Sequence, residues 1–481
     1  MVDEAVLGGG LAGLACAVAL ADSGLQVVVV EREARLGGRA GSWVDSETGD
    51  TVDVGPHIMH SEYRNMLALL ERLGTRDLIT WQPGKVLTIE SKPRPVVLRH
   101  WPLPPPLSLL PSLLGAPGLS FGDYLSMTAT AWRAMQFGEE DVPKLDHLNA
   151  LEFLRNEGVS QRMIEWWWKF AAMVVTNVPL ERCSAASLLR IHAQLSGYRG
   201  LHFGFAAVGL ADLYASQAAD AIRSAGGHVL LRTEVRGFIG REKAEGVILN
   251  DGTALRARYC ISAMPPQDLA RVLPDHWKGE GPFNVLDSFE PSPYVSSYLW
   301  FDRQVTTERF AAHLWSPTRL NYDFYDLAKI RRGWEGRPSV ITSNIIYSHR
   351  AEGMSDGDIV QATVRELAEF APEAARARLL HACVHRIPMA IPCPTPGTEL
   401  KRPHAHTQIP GLVLAGDWVQ THLPCTMESA VASGWFAAEL VLADAGTPRQ
   451  IVRLQRQYDG LAGLVRRATR WRRSRDAHRR R

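Results

Sequence analysis

The stretch that decides the fold is Ala5-Val6-Leu7-Gly8-Gly9-Gly10-Leu11-Ala12-Gly13-Leu14, which runs on through small residues to Ser23 and then into Val27-Val28-Val29-Val30-Glu31. Residues 5–9 read as a short apolar strand, Leu11 to Ser23 as a small-residue helix, and Val27–Val30 as a β-branched strand. Together they make a β-α-β unit within the first 31 residues. Inside it, Gly8-x-Gly10-x-x-Gly13 follows a strand, opens a helix and has an acid about 20 residues on, the context a dinucleotide fingerprint requires. Gly8 permits the tight turn, Gly10 lets the backbone approach a pyrophosphate, and Gly13 lets the helix pack close to the strand. The helix N-terminus offers N–H groups and a positive dipole end to phosphates. Glu31 is placed for ribose hydroxyls, and its charge disfavours a 2′-phosphate.

A second glycine turn follows directly, Arg35-Leu36-Gly37-Gly38-Arg39-Ala40. It suits another close approach to a pyrophosphate, which NAD enzymes do not usually need. With these residues the chain resembles the flavoprotein superfamily of amine oxidases and carotenoid desaturases, whose early sequence reads GxGxxG, then E, then RxGGR. The resemblance implies FAD, bound by Gly8, Gly10, Gly13, Glu31, Arg32 and Gly38, with Arg39 near the phosphates or the flavin. Two later blocks fit it. Thr233-Glu234-Val235 follows Gly226-Gly227 where the family holds adenine with a backbone valine, here Val235. Leu414-Ala415-Gly416-Asp417 precedes Pro424-Cys425-Thr426-Met427-Glu428-Ser429-Ala430. The resemblance puts Gly416 and Asp417 beside the ribityl or phosphate oxygens, and aims the helix starting at Thr426 and Met427 at the flavin N1/O2 edge. A helix N-terminus there stabilises the negative charge that reduction brings. Capping that helix is an alternative role for Asp417, compatible with the first. Cys425 raises covalent flavin attachment, although the surrounding motif differs from that of the amine oxidases that use it.

Further matches narrow the branch. Trp101-Pro-Leu-Pro-Pro-Pro-Leu, Val54-Gly55-Pro56-His57-Ile58 and Leu299-Trp300-Phe301-Asp302-Arg303 are similar, in order, to segments of plant-type phytoene desaturases and of bacterial squalene-associated desaturases (hydroxysqualene dehydroxylase). Pro56 and Ser429 depart from that pattern, as does the segment 320–332. By this resemblance His57 faces the flavin ring or plays a structural part. Arg190 lies near a quinone and substrate channel or on a helix surface. The implied fold is α/β: a Rossmann-type, amine-oxidase-like FAD-binding domain interleaved with a mixed α+β substrate domain and a helical lid. Its expected pieces are 1–80, 205–265 and 405–445 for FAD, 81–204 for a mostly helical membrane-facing lid, 266–404 for the substrate domain and 446–481 for a basic tail. Strands are expected over His228–Ile239 and Gly246–Ile261. The proline-broken stretch Trp101–Leu119 cannot be one regular helix.

The chain has 481 residues, enough to bury a large core without disulfides or metals. Its six cysteines are scattered, without a CxxC pair, so no metal and a reduced, cytoplasmic setting are expected. No run of about 18 uncharged apolar residues predicts a membrane span, and no leader segment is read at the N-terminus. The net charge of +2 hides an asymmetry: Arg449–Arg481 holds twelve Arg against two Asp, a local charge of +10 that leaves −8 for the remainder. Ile451, Leu454, Tyr458, Leu461, Leu464, Val465, Ala468 and Trp471 recur at three- and four-residue steps, the pattern of an interfacial amphipathic helix. A membrane surface is therefore the expected partner, giving peripheral attachment, while a packed terminal helix is the other reading. Nucleic acid is not expected, because aromatics are not interleaved with the arginines apart from Trp471.

The residues outside the FAD pieces show no HExxH, GxSxG, P-loop or obvious acid–base cluster, and their Trp, Leu, Phe and Pro content suits an apolar cavity. The activity that the resemblance implies is FAD-dependent oxidation of a long, linear, membrane-dissolved isoprenoid such as phytoene or a squalene-type lipid. Hydride passes to flavin N5 and the electrons to a quinone or similar acceptor. Reductive removal of a hydroxyl from hydroxysqualene is an alternative on the same scaffold, and an amine oxidase a third.

Overall fold

The opening glycine-rich unit forms a strand over Val2–Leu7, a helix over Leu11–Ala21 and a strand over Val27–Val30. All eleven helix residues are buried, because the helix lies between its sheet and the helices Met427–Asp444 and Ala215–Ser224. That explains its run of Ala, Leu and Gly with no polar face. The computed structural model describes residues 2–91 and 93–478, with side chains as far as residue 469.

Two large sheets organise the molecule. In the first, parallel strands run in the order His228–Leu230, Val27–Val30, Val2–Leu7, Ala254–Ser262, with Leu412–Leu414 beyond them. The antiparallel strands Gly246–Leu249 and Val235–Ile239 extend the lower half of Ala254–Ser262. The single strand expected over His228–Ile239 is broken: Arg232 adopts a left-handed φ of 52°, and the chain leaves the parallel sheet for the antiparallel extension. Three chain segments far apart in sequence thus meet in one Rossmann-type sheet, held in register by buried Val, Ile and Leu.

The second sheet runs Leu379–Pro392, Pro291–Phe301, Val340–Ile346, Asp323–Asp326, Phe310–His313, Lys85–Glu90, Val96–Arg99. The segment 81–204, expected to be mostly helical, begins with strands: Lys85–Glu90 pairs in parallel with Phe310–His313, Thr88 opposite Ala311, and antiparallel with Val96–Arg99, so 85–99 belongs to this sheet. The rest of that segment carries the helices Thr128–Gln136, Ala150–Asn156 and Ala185–Gly197. Between them lie two π-helical turns, Ile164–Trp168 and Ala172–Thr176. The proline-rich stretch forms only short turns, Leu107–Leu109 and Leu110–Leu113.

The basic tail is also corrected. No helix spans Ile451–Trp471. The backbone N–H groups of Ile451 and Val452 donate to the Glu439 carboxylate, and Arg453 N–H donates to Asn65 Oδ1. That straps the chain along the body before a helix starts at Gly460 and runs to His478. Tyr458, Ala462 and Val465 pack into the core of the helical region, whereas Leu454, Leu461 and Leu464 face out. The side chains of Trp471 and the last arginines, and all of 479–481, lie outside the described residues.

Candidate active site

A cavity of about 890 Å³ opens where the first sheet ends and the second begins. This is at the upper end of the roughly 300–1,000 Å³ of small-molecule sites. One arm is lined by both glycine turns, Glu31, Arg32, Val235, Gly416, Asp417, Thr426 and Met427; the other by Trp167, Phe170, Leu195, Leu109 and Phe310. Of the residues expected in the site, Gly13 lies just behind the lining and Arg190 away from it.

The two glycine turns are clasped together. Gly37 N–H donates to Gly9 O at 2.9 Å, and Gly10 bridges Gly37 in parallel. Gly8, at φ 115°, makes the turn that a side chain would strain. A Cβ on Gly13 would lie 2.0 Å from Gly8 O, so the helix can sit this close only with glycine there. A Cβ on Gly10, in contrast, would meet nothing within 4 Å and would project into open space. Gly10 also caps the helix without a side chain, leaving its first N–H groups to a ligand.

The Glu31 carboxylate accepts from Gly9 N–H at 2.7 Å and Glu33 N–H at 2.9 Å, and keeps a second lone pair on each oxygen for the cavity. Arg32 lies along the same wall, paired with Asp268 at 3.1 Å. Val235 opens its strand opposite Leu249, and the ladder shifts register between Val235 and Gly237, so that Arg236 is the bulged residue beside it. Arg39 and Asp417 meet across 378 residues: Nη2 reaches Oδ1 at 2.5 Å and Nη1 reaches Oδ2 at 3.1 Å, while Nη1 also donates to Ala390 O. Thr426 caps the helix Met427–Asp444 by accepting from Ser429 N–H. Asp417 therefore is not that cap. Glu428, the next residue in the motif after Met427, turns away and accepts from the N–H groups of Asn65 and Met66, capping the helix Arg64–Arg72.

The buried histidines of the cavity are neutral at neutral pH. Burial lowers the pKa of His57, His60 and His192, to about 3 for His60 and about 4 for His192. His57 Nδ1 faces Gly55 O at 2.8 Å, so Nδ1 carries the proton and Nε2 is an acceptor. Burial pushes the Cys425 thiol up to about 12, so it is held as the unreactive thiol. Among the described residues no three His, Cys, Asp or Glu side chains are gathered as a metal site.

Arg190 does not line the cavity and is not on a helix surface. It is 2% exposed, with Nη1 on Glu399 at 2.6 Å and Nε and Nη2 on Glu139 at 3.0 and 2.5 Å. Glu399 in turn pairs with Arg402, whose Nη2 donates to the carbonyls of Asp417 and Val419. Arg190 is thus an inner link of a buried ionic chain, Glu139–Arg190–Glu399–Arg402, that braces the 417–426 loop.

One cluster of the site was missed by sequence reasoning. Asp323, Tyr325 and Asn344 line the apolar arm. Its one signal was the pair of acids in Asn321-Tyr-Asp-Phe-Tyr-Asp326, a strand otherwise rich in aromatics.

The arrangement fits a dinucleotide laid across two glycine turns with its far end against the helix at Met427. The sequence model of flavin containing amine oxidoreductases matches residues 11–442. The chain belongs to that family. It is an FAD-dependent oxidoreductase. It is 27% identical over 456 residues to the 15-cis-phytoene desaturase of Synechococcus elongatus, covering 91% of this chain and 95% of that protein. With the chloroplastic/chromoplastic 15-cis-phytoene desaturase of Glycine max it shares 26% identity, over 92% of this chain and 79% of that protein. Among solved structures, an oxidoreductase from Methanosarcina mazei superposes with a TM-score of 0.68 at 15% identity, covering 90% of this chain and 99% of that one.

Proposed function

We propose that this flavoprotein is a desaturase of a long linear isoprenoid of the phytoene or squalene type, and that it takes its substrate from a membrane. FAD, when bound, supplies the two-electron acceptor. A quinone or similar lipid-soluble oxidant then takes the electrons on. The observation that carries the reading is the lining of the cavity. Besides the glycine turns, Trp167, Phe170, Leu195, Phe310 and Leu109 wall it, an apolar chamber in the same space. Leu109 lies between Leu107 and Leu110, which face outward, so one turn of chain separates the chamber from the surface.

That surface is apolar. Trp101, Leu103, Leu107, Leu110, Leu114, Phe121, Leu125 and Trp132 are all exposed, Phe121 to 73%. Tyr124 OH donates to Leu113 O and ties the two halves together, and Gly460 at the start of the basic helix rests on Pro104 and Pro105. A patch of this extent marks an interaction site, and arginines beside it favour an anionic lipid face by about 1 kcal/mol each. Inside the chamber the residues exclude water and align the chain, which removal of hydrogen from an unactivated carbon requires.

Two results are expected. Anaerobic holoenzyme mixed with liposomes containing phytoene should lose its flavin absorbance and give new conjugated absorbance; no bleaching by phytoene or by squalene overturns the reading. A need for added reductant instead of oxidant would point to the dehydroxylase alternative. In cosedimentation with vesicles rich in anionic phospholipid, Phe121→Glu combined with Leu114→Glu should reduce binding at least about tenfold, the loss expected from burying two fewer apolar side chains. Unchanged sedimentation would remove this face as the docking site.

A further inference from the structure

The apolar chamber contains one carboxylate that its hydrocarbon-like lining does not explain. Asp323 lies on the strand Asp323–Asp326, is 3% exposed and faces the cavity. Tyr325 OH donates to its Oδ2 at 3.0 Å and Asn344 N–H to its Oδ1 at 3.2 Å. The titratable groups facing it are Tyr325 on its own strand and Tyr294 on the strand Pro291–Phe301. From the strand Val340–Ile346 it meets Asn344, and Ser343, whose hydroxyl donates to the Asp323 carbonyl. Among the described residues no cation pairs with it. Leaving a carboxylate unpaired in such surroundings is costly, and with Tyr325 OH on Oδ2 and Asn344 N–H on Oδ1 the carboxylate keeps spare acceptor capacity.

Its position is fixed from outside. Asn321 Nδ2 and the N–H groups of Leu320 and Asn321 are held by Glu366, and Asn344 Nδ2 donates to Pro56 O, beside His57. The carboxylate therefore stands on a rigid strand whose neighbour reaches the Gly55–His57 segment at the junction of the two arms.

We propose that Asp323 is the catalytic base of the desaturation, accepting the proton that the substrate loses next to the carbon oxidised. The inference rests on the desaturase reading above. One C–H bond gives up its hydrogen with the electron pair to oxidised FAD. The neighbouring C–H bond gives its proton to an Asp323 oxygen, and the electrons left behind become the new C=C bond. Tyr325 positions the carboxylate and remains a phenol, since burial and Asp323 push its pKa well up. Burial raises Asp323 itself to about 6, so it is ionised at neutral pH yet basic enough to take a proton.

The test is Asp323→Asn, which keeps an oxygen for Asn344 N–H and a partner for Tyr325 OH, with Asp323→Glu beside it. In difference infrared spectra of the holoenzyme titrated from about pH 5 to pH 8, the wild type should lose a carboxylic-acid carbonyl band as the buried Asp323 ionises at about 6. That band should be missing from Asp323→Asn. With FAD content and melting temperature retained, Asp323→Asn should lower the rate of flavin bleaching by phytoene about 100-fold or more, and Asp323→Glu should restore part of it with a displaced acidic limb. Wild-type bleaching matched by Asp323→Asn, or an unchanged infrared titration in that variant, overturns the inference. Absence of bleaching in the wild type overturns the desaturase reading instead.

Discussion

Gly10→Ala should purify as folded, colourless protein, and Gly13→Ala should scarcely fold at all. The two glycines are three residues apart in one turn, yet the structure gives them opposite burdens. At Gly13 a methyl group would sit 2.0 Å from the Gly8 carbonyl oxygen and 3.2 Å from the Ala263 side chain. Overpacking costs about 1–3 kcal/mol when side chains can move aside. Here the obstacle is main chain at the centre of the parallel sheet, so the helix Leu11–Ala21 would have to lift from its strands and from the helix Met427–Asp444. At Gly10 the backbone is extended, φ −78° and ψ 178°, which alanine adopts freely, and the methyl meets no protein atom within 4 Å. It would occupy the space in front of the helix N–H groups, where the FAD pyrophosphate must approach. Losing two hydrogen bonds to a charged group, about 1.5–3 kcal/mol each, weakens binding about 100-fold or more. Circular dichroism and melting temperature report the fold, and flavin absorbance after reconstitution reports the site. Gly10→Ala that retains full flavin would show that this turn does not carry the pyrophosphate.

The contrast also shows which parts of the site are legible in the sequence. The first β-α-β unit is local: its glycines, helix and terminal acid lie within 31 residues, and their spacing alone specifies the contacts. The blocks at Val235, Gly416 and Met427 are recognisable as text, but their partners are not. Arg39 and Asp417 each look like cofactor ligands, and only the fold makes them partners of one another across the cavity. Glu428 stands inside the flavin-side motif and yet caps a helix more than 360 residues earlier. Arg190 sits on a helix whose sequence suggests no ion pair, because Glu139 and Glu399 reach it from short helical turns distant in the chain. In the tail, apolar spacing does not distinguish a stripe that faces lipid from one that packs on protein, and here it is divided between the two: Tyr458 and Val465 inward, Leu461 and Leu464 outward. The strands Lys85–Glu90 and Phe310–His313 pair across some 220 residues, so neither had a neighbour in sequence to reveal it. Asp323 is the same problem at the level of chemistry. One acid in an aromatic strand becomes a cavity carboxylate only when Asn344 and Tyr325 are brought around it.

Arg402→Ala should release FAD and lower the melting temperature more than any substitution in the lining outside the glycine turns. Arg402 is fully buried and gives Nη1 to Leu423 O at 2.7 Å and to Glu399, and Nη2 to Asp417 O at 2.9 Å and Val419 O at 2.8 Å. Among the described residues it is the one guanidinium that holds both ends of the 417–423 loop, and that loop sets where Asp417 meets Arg39. Removing it leaves Glu399 with Arg190 as its remaining charge partner and three carbonyls without this donor. Breaking a buried ionic pair in this way costs about 3–5 kcal/mol. The same chain gives an acid dependence with a definite sign. Burial works against the Glu399 charge, but Arg190 and Arg402 outweigh it and hold the carboxyl down at about 2, below the roughly 4.3 of an unfolded glutamate. Its contribution to stability is therefore complete above the unfolded value and is lost as pH falls from there toward 2. Glu399→Gln should lower stability at neutral pH and flatten that part of the acid profile, and Arg190→Gln should do likewise without abolishing flavin bleaching by substrate, because Arg190 touches only the two glutamates. Thermal unfolding followed by flavin fluorescence between about pH 3 and pH 7 separates these outcomes. An Arg402→Ala protein as yellow and as stable as the wild type would show that the loop holds its shape without the brace, and an Arg190→Gln protein that folds and binds FAD but no longer reacts would return Arg190 to the reaction itself.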